Sequence, residues 1–408
     1  MSAQPVAGPD PDRVLHHFDY RGPEAGAHLH ESLALLRDRC PVAHSDQHGG
    51  YWIVTRHADV VAVAQDWEAF SSQLGVSIPA NPNVALAIPE HIDPPLHREY
   101  KRLVNRWFTP AAVAPLAEGA QRIASELVDG FAGAGEADVM ADFAVPFPGL
   151  VFFELVLGAP ADEVAHVTQT AAGATDPGNP ASRDCYVELN GWIRQLTDRR
   201  RAEGRREVRD VVDAVLAAEI EGRPIRDDEV QGLILLLILG GLDTTAGVIG
   251  QSVLRFCAQP EIPAQLREQP DLVPAAVEEL LRLDTSFPGI GRTVRHDTEL
   301  TGQPMAAGDK VYVSWAAANR DPAEFDEPEE FRIDRASNRH LAFGAGPHRC
   351  AGSNLARLNL RVAIGEIVSR LADLRLAVPA DRIEYHAAFN RRPLHVPITF
   401  TAAASSDR

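Results

Sequence analysis

Apolar residues return every three or four positions over most of the chain, the spacing of helices with one buried face. His28–Arg39, His57–Phe70, Leu96–Phe108, Ala112–Phe131, Pro148–Leu157, Asn190–Arg209 and Asp271–Leu283 carry this period. Shorter runs rich in β-branched and aromatic residues read as strands: Tyr51–Thr55, Arg292–Leu300, Lys310–Trp315 and Leu394–Phe400. The pattern predicts a mainly α chain with a minor β-sheet region, an α+β fold. There is no internal repeat and no clean linker. Residues 26–408 therefore read as a single domain behind a flexible, polar N-terminal arm over residues 1–25.

Two stretches depart from these patterns. Within Asp227–Cys257 the run Leu233-Ile234-Leu235-Leu236-Leu237-Ile238-Leu239 is apolar on every side, as befits a helix in the middle of a large core. Gly240-Gly241-Leu242-Asp243-Thr244-Thr245 follows at once. Glycine inside a helix costs about 1 kcal/mol relative to alanine, and a buried acid costs more unless it is partnered. The glycines open room beside a helix for a small ligand. The acid and the hydroxyl can relay protons into an apolar place, although a helix kink with a capped hydroxyl would use the same residues.

The second stretch is Phe343-Gly344-Ala345-Gly346-Pro347-His348-Arg349-Cys350-Ala351-Gly352. One cysteine sits among three glycines, with a histidine and an arginine before it and a helical run after it. Glycines let a backbone approach something large. Nearby positive charge and a helix N-terminus favour a thiolate. Cys350 thus suits a soft metal centre with one protein ligand. Ser71–Pro95 contains Pro79, Pro82, Pro89, Pro94 and Pro95 without a clear period, and loops of that length are usually functional. Thr168–Asp184, rich in Ala, Gly and Pro, reads as a mobile connection.

Composition narrows the picture. The net charge of −18 argues against nucleic acid as a partner. The cysteines (Cys40, Cys185, Cys257 and Cys350) are far apart, so neither a zinc site nor a disulfide framework is expected, and a cytoplasmic location fits. The polar N-terminus is no signal peptide, and no run is read as approaching the ~20 apolar residues of a membrane span.

The cysteine stretch resembles the haem-binding loop of the cytochrome P450 family, F-G-x-G-x-[HR]-x-C-x-G, at every specified position. Gly240–Thr244 is similar to that family's [AG]-G-x-[DE]-T segment, and Glu279-Leu280-Leu281-Arg282 to its structural E-x-x-R. The resemblance spans roughly residues 45 to 400. It implies haem b with Cys350 as the iron ligand, and Asp243 and Thr244 as the groups that handle protons. Phe343, Gly344, Gly346, His348, Arg349 and Gly352 would shape the loop, and Gly240 would lie over the haem. His97, Lys101, Arg292 and His348 would meet the propionates, with lysine standing where the family commonly has arginine. In Pro328-Glu329-Glu330-Phe331 an acid replaces the arginine that often completes the Glu–Arg network, so Arg332, Arg335 or a neutral group is expected instead.

The resemblance further implies a monooxygenase that uses O2. Electrons would come from a ferredoxin and its reductase, or from a flavodoxin, docking on a basic patch of Arg102, Arg106, Arg349, Arg357 and Arg361. The substrate would be a small-to-medium hydrophobic compound in a pocket lined by Leu86, Ile88, Leu236, Val248, Phe287, Ile290 and Phe389. Ser286, Asn390 and Arg391 would serve as polar anchors. A monomer is expected, with no membrane partner. A haem-thiolate peroxygenase or isomerase, and a haem sensor without turnover, are the alternatives.

Overall fold

The computed structural model describes residues 9–22, 25–26, 28–79, 87–176, 179–204, 207–387 and 390–403. The elements that matter are, in chain order, α1 (Pro11–His17), α2 (Leu29–Arg39), β1 (Val42–Ser45), β2 (Tyr51–Val54), α3 (His57–Gln65) and β3 (Phe70–Ser71). Then come α4 (Leu96–Asn105), α5 (Ala117–Phe131), β4 (Glu136–Asp138), α6 (Ala161–Thr175), α7 (Ser182–Ala202), α8 (Asp227–Ala258) and α9 (Val273–Leu283). β5 (Gly289–Val294), β6 (Lys310–Ser314), α10 (Ser353–Arg370), β7 (Leu371–Leu376) and β8 (Pro397–Ala402) complete the set. The fold is mainly α with small sheets, as the sequence pattern implies. The chain divides into two compact units, one of Met1–Val84, Leu281–Arg349 and Tyr385–Arg391, the other of Ala85–Leu280, Cys350–Glu384 and Arg392–Arg408.

The first unit is built on a five-stranded sheet in the order β1-β2-β6-β5-β3, parallel only between β2 and β6. Alternation along the strands divides its side chains between two cores. Tyr51, Ile53 and Tyr312 pack with Leu29, Leu33 and Leu36 of α2. Val54, Val311 and Val313 pack with Val60 and Val63 of α3. Each such buried side chain contributes about 1.5–3 kcal/mol. The stretch read as part of a flexible arm is folded from residue 9: α1 buries Val14, and Phe18 and Tyr20 join the α2 core. The arm has too few apolar residues to show a period, and α2 supplies the surface that buries them.

Arg282, at the end of α9, is wholly buried. It donates to the carbonyls of Asn319 (2.9 Å), Pro328 (2.6 Å) and Glu330 (3.0 Å). The backbone of Pro328-Glu329-Glu330-Phe331 thus meets Arg282 directly. Arg335 donates to the Asp326 carbonyl at 2.6 Å, and both guanidiniums lie over the Phe325 ring. Arg332 instead pairs with Glu327.

The second unit centres on α8, against which α6, α7 and α10 pack. A three-stranded antiparallel sheet, β7-β8-β4, closes one side. By length and hydropathy α8 would suffice to cross a bilayer, contrary to the sequence expectation, but 67% of its most apolar window is buried, as in a core helix. The Gly240–Thr245 run does not interrupt it. Thr168–Asp184 is largely helical rather than a mobile connection. α6 continues to Thr175 and α7 starts at Ser182. Gly173 is bare because Cys185 Sγ would stand 2.9 Å from any Cβ there.

Candidate active site

Most of α8 is buried, yet Gly240 in its middle is exposed, and Leu236, Gly241 and Thr244 are half-buried. Leu236, Gly240 and Thr244 follow at four-residue spacing and form one stripe. A Cβ on Gly240 would meet nothing within 4 Å, so open space adjoins the helix there. Val248, one turn further on, is buried. Thr244 Oγ1 donates to the Gly240 carbonyl at 2.9 Å. Its proton is engaged inside the helix, which leaves its lone pairs to accept.

Asp243 is rotated about 100° around the helix from Thr244. It is buried, and its Oδ1 lies 2.5 Å from Nε of Arg392, which is equally buried. The Nε–H does not point along that line, so the contact is an ion pair rather than a straight hydrogen bond. Sequence reasoning missed Arg392. The signal available was chemical: a buried acid on a core helix needs a cation, and between Glu384 and Asp407 Arg391 and Arg392 are the only Asp, Glu, Lys or Arg residues.

Cys350 is exposed, and no disulfide joins it to another cysteine. It precedes α10 by three residues, and a Cβ on Gly352 would lie 4.0 Å from its Sγ. Asn354 donates to the Phe108 carbonyl at 2.8 Å, which ties the start of α10 to the turn after α4. His97 and Lys101 are one turn apart on α4, the first buried and the second half-buried. Tyr100 lies between them and donates to Glu229 Oε1 at 2.6 Å. Arg223 holds the same carboxylate with two bonds of 2.7 and 2.9 Å, and the Arg226 backbone N–H donates to it at 2.8 Å. Arg223 leads, with Tyr100 and that N–H assisting, in holding Glu229 down to about 2 against its burial.

Most of the remaining expected residues lie in the first unit. Arg292 is buried on β5 and donates to the Gly291 carbonyl at 2.8 Å. Phe343, Gly344, Gly346 and His348 are half-buried, and Arg349 is exposed. Gly346 has φ +68°, and a Cβ there would fall 2.1 Å from the Ala64 carbonyl, so only glycine fits. His348 Nε2 lies 3.4 Å from Ser72 Oγ. Phe287 is half-buried and Ile290 buried in this unit, whereas buried Ile88 belongs to the other. Leu86 and Phe389 fall outside the described residues. Arg391 is held by the Gly26 carbonyl and stacked 4.0 Å over Tyr385.

Cytochrome P450 109 of Bacillus spizizenii is 32% identical to this chain over 90% of each. The chain belongs to the cytochrome P450 family. The family model, cytochrome P450, matches residues 181–372. The mycinamicin IV hydroxylase/epoxidase of Micromonospora griseorubida is 33% identical over 98% of this chain and 100% of its own length. The structure of cytochrome P450 CYP109Q5 from Chondromyces apiculatus superposes with a TM-score of 0.86 at 28% identity, covering 96% of this chain and 100% of that one. This P450 is a monooxygenase, and its cofactor is haem b.

The residues present fit that group. Within the second unit an exposed thiol precedes α10 and an uncovered, glycine-opened stripe runs along α8. Such a stripe on an otherwise buried helix leaves room for a flat apolar group such as haem.

Proposed function

We propose that Cys350 supplies the axial thiolate, that Asp243 and Thr244 manage protons, and that the oxidised substrate is a small-to-medium hydrophobic compound. When bound, the haem supplies the chemistry of RH + O2 + 2 e− + 2 H+ → ROH + H2O. The protein's task is the rest. The Thr244 oxygen accepts a hydrogen bond on the open side of α8, and Asp243 passes protons toward it. Gly240 keeps that side clear. Leu236, Val248, Ile88, Phe287 and Ile290 exclude water and set the size of compound admitted, with Leu86 and Phe389 in the same role. His97, Lys101, Arg292 and His348 offset the propionate charge, and Phe343, Gly344, Gly346, Arg349 and Gly352 shape the loop around the thiolate. The reaction is hydroxylation or oxidative dealkylation.

Electrons come from a ferredoxin with its reductase, or a flavodoxin. Arg102, Arg106 and Arg361 are exposed and support a basic docking patch, with Arg349. Arg357 is neutralised by Glu278, to which it donates two bonds of 2.7 and 2.8 Å. We place the enzyme in the cytoplasm as a monomer acting as one catalytic domain.

The observation that carries the reading is the exposed Cys350 in its glycine-lined loop. The test is the carbon-monoxide complex of the reduced protein. A red-shifted, thiolate-type Soret band is expected, and Cys350→Ala should abolish it. An unchanged band in that variant sinks the assignment.

A further inference from the structure

Arg392 and Asp243 are each more than nine-tenths buried. Taking both charges out of water costs several kcal/mol per ion, and a well-packed apolar pair of similar size would be at least as stable. Stability alone therefore does not account for the pair. Its position does bear on function, because Asp243 adjoins Thr244, the residue that faces the open side of α8. Arginine also remains charged at any working pH, unlike a buried lysine.

A second observation concerns how Arg392 reaches α8. Two turns beyond Asp243 on the helix is Gly250. A Cβ there would fall 2.3 Å from Met140 Sδ and 2.9 Å from Pro393 Cγ. The bare backbone at Gly250 is what lets the Arg392–Pro393 segment lie against the helix. Met140 could swing aside for an added methyl, but the Pro393 ring could yield only by moving the backbone next to Arg392.

We propose that Arg392 is a positioning residue for oxygen activation. It fixes the Asp243 carboxylate beside Thr244, and Gly250 is the seat that brings it within reach. This rests on Asp243 and Thr244 being the proton-handling pair. The Asp243 carboxylate then has one defined orientation from which a proton can pass to the Thr244 oxygen. Without Arg392 the carboxylate rotates out of that orientation, and delivery slows.

The experiment uses the haem-loaded full chain without organic substrate, reduced by NADPH through a plant-type ferredoxin and its reductase. Consumed dioxygen then leaves as peroxide (O2 + 2 e− + 2 H+ → H2O2) or as water (O2 + 4 e− + 4 H+ → 2 H2O), and the second route needs more protons. The readouts are NADPH oxidation rate, peroxide formed per NADPH, and the solvent deuterium isotope effect on the rate. The reduced carbon-monoxide spectrum and the thermal unfolding midpoint serve as controls.

Asp243→Asn and Arg392→Gln are each expected to slow oxidation about tenfold, and to shift the peroxide fraction and the isotope effect alike. The double variant should be no slower than either single one. Arg392→Lys should recover most of the rate, and Gly250→Ala should fall between wild type and Arg392→Gln. The unfolding midpoint lost in Arg392→Gln should return largely in the double variant, a readout independent of turnover.

If Asp243→Asn keeps the wild-type rate and isotope effect, the proton-handling reading itself falls. If Asp243→Asn is impaired while Arg392→Gln and Gly250→Ala match wild type, only the role of Arg392 is overturned. Should Arg392→Gln fail to hold haem, Gly250→Ala carries the test. A wild-type isotope effect and peroxide fraction in Gly250→Ala would overturn the proposal, and a shift of both in the direction seen for Asp243→Asn would support it.

Discussion

Arg282 and Arg392 are both buried arginines, one in each compact unit, and they reach different kinds of acceptor. Arg282 meets three backbone carbonyls from a single irregular stretch, Asn319 to Glu330. Arg392 meets one carboxylate, Asp243. A cation ringed by carbonyls pins chain geometry, and no side-chain change can replace those partners. A cation against one acid sets the orientation of that acid. The same residue type is a fastener in the first unit and, on our proposal, a chemical control in the second.

The comparison is open to attack in order of effect. Arg282→Ala empties a wholly buried site and strands the carbonyl of buried Asn319, and it should cost about 4 kcal/mol. Thermal denaturation and soluble yield measure it, and no single second-site side-chain substitution should restore the loss. Arg392→Gln should cost about 3 kcal/mol by leaving Asp243 buried without its cation. In chemical denaturation the Asp243→Asn/Arg392→Gln double variant should recover most of that while turnover stays low. If the double variant recovers nothing, Arg392 is a fastener too and the contrast fails.

Glu229 is an intermediate case, a buried acid held by Arg223 and by Tyr100 of α4. Its carboxyl titrates at about 2 in the folded chain against an ordinary 4.5. The folded value is depressed, so the stabilisation is fully present above about pH 4.5 and is lost as pH falls toward 2. Unfolding midpoints across that window should fall steeply for wild type and less for Glu229→Gln. Tyr100→Phe should cost about 1 kcal/mol at neutral pH.

Arg361, exposed on α10, lies at the far end of the series. Arg361→Glu should leave stability within about 0.5 kcal/mol. It should slow reduction by an acidic ferredoxin severalfold at low salt, with the difference vanishing at high salt. An unchanged reduction rate would remove Arg361 from the docking patch.

How much was legible from sequence depended on whether partners were close along the chain. The cysteine loop and Gly240–Thr244 were readable because each constellation is contiguous. α8 was readable because its apolar run has no polar face. Thr168–Asp184 was misread because its glycines and prolines signal breaks. Alanine favours helix, however, and packing of Gly173 against Cys185 holds α6 together to Thr175. The arm at residues 1–25 was misread because a seven-residue helix shows no period of its own.

The sequence by itself determined the class of chemistry. A ten-residue loop carries the thiol, its glycines and its helix start, and local backbone rules suffice to read them. It also determined that α8 is a core helix and that Asp243 and Thr244 adjoin each other. Only the tertiary structure decided which cation meets Asp243, and that Arg282 reaches the carbonyls of Asn319, Pro328 and Glu330. Those partners are far apart along the chain. Ion pairing and carbonyl coordination act over a few ångströms of space and leave no periodic trace in the order of residues.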